Sequence, residues 1–101
     1  MKIVFSKAAR QDLKEIDSYI SDTLKNPIAA KSVIERILRS CNRLSAQPNM
    51  GVSLQEKCDR ETDYRCLFCD NYIAFYRLTN NTVRIVRILD GRTEYLRIIF
   101  S

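Results

Sequence analysis

The sequence predicts an α+β domain spanning residues 1–101. The expected order is an N-terminal strand, an antiparallel helical hairpin, then a three-stranded antiparallel meander, about four strands in one sheet. Three observations predict it. Apolar residues recur at spacings of three and four between Ala9 and Leu44, the period of helices that bury one stripe. From Tyr64 onward the chain changes to runs rich in β-branched and aromatic residues. Turn residues separate those runs: Asp70-Asn71 suits a two-residue hairpin, and Asn80-Asn81 forms the core of a second turn.

The elements follow in order. Lys2 to Phe5 is a short apolar run, read as a strand. Ser6 is placed to cap the following helix, whose stripe is Ala9, Leu13, Ile16, Ile20 and Leu24. Asn26 caps the next helix, and Pro27 suits its first position, where the missing N–H costs nothing. That helix runs from about Pro27 to Ala46 with the stripe Ala30, Ile34, Ile37, Cys41 and Leu44, widened by Val33 and Leu38. Two striped helices joined by a tight turn form an αα-hairpin. Its outer faces carry Lys14, Lys25, Lys31, Arg36, Arg39 and Arg43, read as solvated charge.

Gln47 to Gly51 ends the hairpin. Val52 to Asp63 reads weakly, with a short edge strand expected near Leu54. The meander strands are expected at roughly 64–69, 72–78 and 83–90. One face is expected to carry Tyr64, Cys66, Phe68, Tyr72, Ala74 and Tyr76, the other Leu67, Cys69, Ile73 and Phe75 between Arg65 and Arg77. A half-solvated sheet alternates cleanly, and this one does not. Each face therefore needs a cover: the helical hairpin on one, and Tyr95 to Phe100 or a partner on the other.

Composition narrows the function. With 101 residues the chain forms one domain with a real core. Apolar residues make up 46%, which excludes a disordered chain. No apolar run reaches the roughly 18 residues of a membrane span, and the start is too short in apolar residues for a signal peptide. The expectation is a cytoplasmic protein with no membrane partner. A net charge of +5 favours polyanions or an acidic partner. The absence of His removes the commonest general base and metal ligand. Cys66-x-x-Cys69 invites a zinc reading, but residues three apart on a strand point to opposite faces. We therefore expect four reduced thiols at Cys41, Cys58, Cys66 and Cys69, with no metal and no cofactor. From Tyr64 onward the basic residues are six Arg (65, 77, 84, 87, 92, 97) and no Lys. The planar guanidinium fork binds carboxylates and phosphates in bidentate fashion, which Lys cannot do.

Tyr64-Arg65, Tyr72-Ile73-Ala74-Phe75-Tyr76-Arg77 and Val83 to Leu89 closing in Gly91-Arg92-Thr93-Glu94-Tyr95 resemble the toxins of the RelE/ParE superfamily of bacterial type II toxin–antitoxin modules. Ala9-x-x-Asp12-Leu13-x-x-Ile16 resembles the family's first helix and Asn26-Pro27-x-Ala29-Ala30 the start of its second. Leu44-x-x-x-Pro48-x-x-Gly51 resembles the loop into its sheet. The resemblance implies a growth-inhibiting toxin neutralised by a cognate acidic antitoxin, with a homodimer open to the isolated chain.

Two branches divide the expected target. The strand Tyr72 to Arg77 and the loop Pro48 to Gly51 resemble the ParE branch, which binds DNA gyrase and needs no catalytic residues. The RelE branch cleaves mRNA on the ribosome. For a nuclease the resemblance implies Arg65, Arg92 and Tyr95 as catalytic residues. The departures are Ile73 and Thr93, where a nuclease carries cations. Target or antitoxin contacts are expected at Arg77, Arg84, Arg87, Arg97, Ile73 and Phe75. Plainer structural roles stand beside these. On these readings Arg87 is expected to form a salt bridge to Glu94 or Asp90, Tyr72 and Tyr76 to be core aromatics, and Tyr95 to anchor the C-terminal segment.

Overall fold

The computed structural model describes all 101 residues. Strand β1 (Lys2–Phe5) leads into helix α1 (Lys7–Ser18). Ser6 caps α1 by accepting the Ala9 N–H at 3.0 Å. A π-helical turn, Tyr19–Thr23, extends α1. Its wider turn shifts later positions around the axis, so Leu24 leaves the predicted stripe and is 54% exposed. Lys25, at φ 54°, ends the segment in the left-handed region. Helix α2 (Pro27–Asn42) starts as expected, with Asn26 accepting the Ala29 N–H at 3.1 Å and Pro27 in the first turn.

Five strands form one mixed sheet rather than about four. They are β1, β2 (Val52–Ser53), β3 (Arg65–Cys69), β4 (Tyr72–Thr79) and β5 (Thr82–Asp90), in the order β1-β5-β4-β3-β2. β1 runs parallel to β5 and the other pairs are antiparallel. The extra strand, β2, precedes the expected position near Leu54, because Leu54–Lys57 curls into a 3₁₀ turn. Asn80 and Asn81 both have positive φ, 46° and 60°. That is the type I′ geometry whose twist matches the flanking strands.

The expected faces of β3 are inverted. A two-residue turn places its flanking residues directly opposite one another on one face. Cys69 pairs with Tyr72, Leu67 with Ala74 and Cys66 with Phe75. Leu67 and Cys69 therefore join Ala74 and Tyr76 in the layer under α1 and α2, with Ile37, Cys41 and Leu44. Cys66 joins Ile73, Phe75, Leu54 and Leu89 on the other face. Helix α3 (Tyr95–Ile99) covers that second face through Tyr95, Leu96, Ile98 and Ile99, together with Phe100 beyond it. The C-terminal segment thus supplies the cover that the doubly apolar sheet requires.

β5 outruns its neighbour. β1 pairs it only as far as Phe5↔Ile85. The register with β4 then jumps between Phe75↔Arg87 and Tyr76↔Ile85, leaving Val86 as a bulge. Side chains of the α1 segment take over from β1. Ser6 Oγ donates to the Val86 carbonyl at 2.8 Å. The Ile88 N–H donates to Asp12 Oδ2 at 2.9 Å. Arg87 donates to both Asp12 oxygens, at 2.8 and 2.9 Å, and Asp12 is only 5% exposed.

Asp12→Ala leaves the Arg87 guanidinium and the Ile88 N–H unpaired at a largely buried site, which costs about 3 kcal/mol. Urea denaturation reads this directly, and an unchanged midpoint would refute the bridging role. Of the four free cysteines, Cys41, Cys66 and Cys69 are buried and Cys58 is half-buried. Burial pushes the Cys66 thiol up to about 11, and a hydrogen bond to Cys69 together with burial raises that of Cys41. The same bond to Cys41 lowers that of Cys69, whose burial nonetheless shields it from reagent, so alkylation near pH 8 should label Cys58 alone in the native chain and all four thiols after denaturation.

Candidate functional site

The arginines of the sheet are mostly committed to the fold. Arg65, at the start of β3, donates through Nε to the Tyr76 hydroxyl at 3.3 Å. Its Nη2 donates to the carbonyls of Asn49 at 3.2 Å and Gly51 at 2.6 Å. The Tyr76 hydroxyl in turn accepts the Gly51 N–H at 3.1 Å and donates to the Pro48 carbonyl at 2.8 Å. Arg65 and fully buried Tyr76 thus clamp the Pro48–Gly51 loop onto the sheet. A Cβ at Gly51 would meet the Cys66 carbonyl oxygen at 2.5 Å and the Tyr76 hydroxyl at 2.8 Å, so only glycine fits there.

Arg77 donates through Nη2 to both Asp63 oxygens, at 2.9 and 3.0 Å, and its guanidinium lies over the Tyr64 ring at 5.0 Å. The Asp63 carboxylate raises its pKa. Arg87 pairs with Asp12, not with Glu94 or Asp90, because its side chain reaches back to α1 beneath the end of β5. The Asp12 hydrogen bonds raise its pKa as well. Arg92 takes Asp90, through the backbone N–H at 2.9 Å and through Nε and Nη2 at 3.1 and 2.8 Å. Those bonds hold the Asp90 carboxyl below the usual carboxylate range. Arg97 meets Glu94 at 3.1 Å on the open surface. Arg84 is exposed and makes no ion pair.

The apolar candidates lie inside. Ile73 is 3% exposed and Phe75 fully buried, both beneath α3, so neither side chain reaches the surface. Tyr95 packs its ring on Phe75 with centroids 5.4 Å apart, the anchor its plainer reading gave. Tyr76 is a core aromatic as expected, while Tyr72 is half-buried.

The three residues expected of a nuclease do not converge. Arg65 pairs across the strands with Tyr76, on the face covered by α1 and α2. Tyr95 lies on the opposite face, so the sheet separates the two. Arg92 lies past Asp90, which pairs with Tyr72. That is four residues along β4 from the level of Arg65, about 13 Å at the usual rise per residue.

Asp12, Asp63 and the Tyr76 hydroxyl are the structural partners that sequence reasoning missed. Asp12 meets Arg87 across 75 residues, with no local signal. Asp63 was within reach: the hairpin register that pairs Arg65 with Tyr76 carries Arg77 level with Tyr64, next to Asp63.

A family model described as the ParE toxin of type II toxin–antitoxin systems matches residues 3–95. No curated protein matches the chain at a significant level. Among solved structures, the chromosomal ParDE toxin–antitoxin system of P. aeruginosa contains a chain similar in fold, with TM-score 0.74 and 22% identity over 89% of this chain and 95% of that one. The RelBE2 toxin–antitoxin complex of Mycobacterium tuberculosis contains another, with TM-score 0.58 and 22% identity over 88% of each chain. The order of elements, the five-stranded sheet and a family match over nearly the whole length agree, and the chain belongs to the ParE toxin family of type II toxin–antitoxin systems.

Proposed function

We propose that this toxin inhibits growth by binding DNA gyrase, and that an acidic antitoxin holds it inactive. The observation that carries the reading is the separation of Arg65 from Tyr95 by the sheet. Attack of a 2′-OH on RNA needs a base, an acid and cations gathered around one phosphate. Here Arg65 gives its donors to a tyrosine hydroxyl and two loop carbonyls. Arg92 is engaged with Asp90 on another part of the sheet.

The two departures from the nuclease pattern support the same side. Ile73 is buried under α3, so a cation at that position would sit in the apolar core. Thr93 donates its hydroxyl to the Asp90 carbonyl at 2.6 Å, shaping the turn after β5. A gyrase-binding toxin needs a surface only, and these arginines are suited to maintaining one. The net charge of +5 supports an acidic partner. No helix is long and apolar enough to cross a membrane, which is compatible with a target in the cytoplasm.

The test sets the purified chain against purified gyrase and, separately, against translating ribosomes. Supercoiling should be inhibited and messages left intact. Tyr95→Phe should stay within about tenfold of the parent, since a surface hydroxyl contributes about 0.5–1.5 kcal/mol. Arg92→Ala should likewise retain inhibition. Codon-resolved mRNA cleavage on ribosomes, slowed about a hundredfold or more by Arg92→Ala, would overturn the reading in favour of an endonuclease.

A further inference from the structure

A shallow cleft between α2 and the outer edge of the sheet is lined by Arg36, Arg39, Arg43, Phe68 and Asp70. Arg36, Arg39 and Arg43 recur at spacings of three and four, so they share one helix face, and all three are exposed. Arg36 approaches Asp70 at 3.4 Å, with both side chains more than half exposed. Arg39 and Arg43 make no ion pair.

The strand edge beside them is open. β2 covers only Arg65 and Cys66 of β3. Upstream of Val52 the chain turns off the edge, where the Gly51 N–H donates to Tyr76. No strand lies opposite Phe68. The hairpin register decides where its backbone points. Cys69 and Tyr72 flank the two-residue turn as a hydrogen-bonded pair, so Phe68 and Ile73 form a pair of the other kind. The N–H and C=O of Phe68 therefore face outward. The Tyr64 carbonyl has the same parity and faces the same side, where it accepts the Leu54 N–H at 2.9 Å.

Side chains around the edge divide by face. The arginines of α2 lie on one face. On the other, Phe68 is 52% exposed and Val52 39% exposed, and the Lys57 ammonium lies 5.2 Å from the Phe68 ring centroid. A strand laid on this edge would send alternate side chains to the two faces. Acidic residues would suit the arginine side and apolar residues the Phe68 side. Nucleic acid fits less well, because a single strand is held by successive bases stacking on several aromatic side chains along a basic groove, and Phe68 is the one aromatic of this cleft. A second copy of this chain, paired about a two-fold axis, would bring two sets of arginines together.

We propose that the β3 edge at Phe68 accepts an extended acidic segment of the antitoxin as an added strand in line with β2. Its carboxylates face Arg36, Arg39 and Arg43, and its alternate apolar side chains pack on Phe68 and Val52. Backbone hydrogen bonds to Phe68 set the register, and the charges set the choice of partner. The proposal rests on the reading of an acidic antitoxin as partner and is independent of gyrase.

The probe is the protein encoded beside this chain, titrated against the full-length toxin. Arg36→Glu combined with Arg39→Glu and Arg43→Glu should weaken binding about a hundredfold or more. Phe68→Pro removes an outward N–H at an edge where proline is tolerated, and should weaken binding about tenfold beyond Phe68→Ala, which removes only the ring. In hydrogen exchange the Phe68 amide should be fast in the free chain and protected in the complex, which keeps the test valid should the proline variant fail to fold. Binding that the variants leave within threefold, or a Phe68 amide unprotected in the complex, overturns the proposal alone. So does loss of oligonucleotide binding on charge reversal while the neighbour still binds. No binding of the neighbour to the parent chain overturns the antitoxin reading and this proposal together.

Discussion

The fold depends on how the chain finishes the exposed side of β5 once β1 has ended. β1 is four residues long and β5 nine. A buried strand edge with free N–H and C=O groups is costly, so something must replace the missing strand. Ser6 and Asp12 do so. Ser6 caps α1 with its oxygen and satisfies the Val86 carbonyl with its proton. Asp12, one and a half turns on, takes the Ile88 N–H and the Arg87 guanidinium. The same two side chains thus start a helix, fasten it to the sheet and finish the sheet's hydrogen bonding. A buried ion pair of this kind adds little net stability over an apolar equivalent. Its contribution is to register. Asp12 is satisfied only when Ile88 lies beneath it, so a slip of β5 relative to α1 would strand a buried carboxylate.

The second consequence is a sheet buried on both faces in a chain of 101 residues. One face has two long helices over it. The other has α3, five residues long, far below the length at which an isolated helix is stable in water. Packing alone holds it there. Tyr95 lies on Phe75 at 5.4 Å, Phe100 on Tyr64 at 6.2 Å, and Arg60 over Phe100 at 4.7 Å. Few of these contacts are fully buried, since no residue of α3 is. A short element held by half-buried contacts opens at lower free energy than the central strands.

Much of this was legible in the sequence. Both helix caps, the two stripes and the three long strands follow from spacing and turn residues alone. The short edge strand expected near Leu54 is present just before it, as β2. Three features did not follow, and each has a physical reason. Leu24 leaves its stripe because a π turn interrupts the helical period. The faces of β3 are inverted because alternation along one strand carries no parity across to the next; the two-residue turn at Asp70-Asn71 sets it by pairing Cys69 with Tyr72. The partner of Arg87 lies 75 residues away, and Glu94 and Asp90 were the nearer carboxylates in sequence. The candidate site fared less well for a related reason. Residue type marks arginine as capable of holding an oxyanion, but not whether that oxyanion belongs to a ligand or to the chain's own Asp12, Asp63 or Asp90.

That distinction bears on function. Of the six arginines after Tyr64, Arg77, Arg87, Arg92 and Arg97 pair with carboxylates and Arg65 with carbonyls and a hydroxyl. Arg84 alone has no ionic or carbonyl partner. Arg87 and Arg92, held through two nitrogens by their own carboxylates, must exchange such a contact for any they would offer a phosphate, which leaves less of that binding energy for a transition state. Uncommitted charge lies on the helices as well, and Arg39 and Arg43 of α2 present it beside the open edge of β3. The sheet therefore reads as a scaffold whose cations secure loops and strands, and the helix beside it as the surface that presents free charge to another molecule. That division suits a protein that acts by holding a partner better than one that acts by breaking a bond.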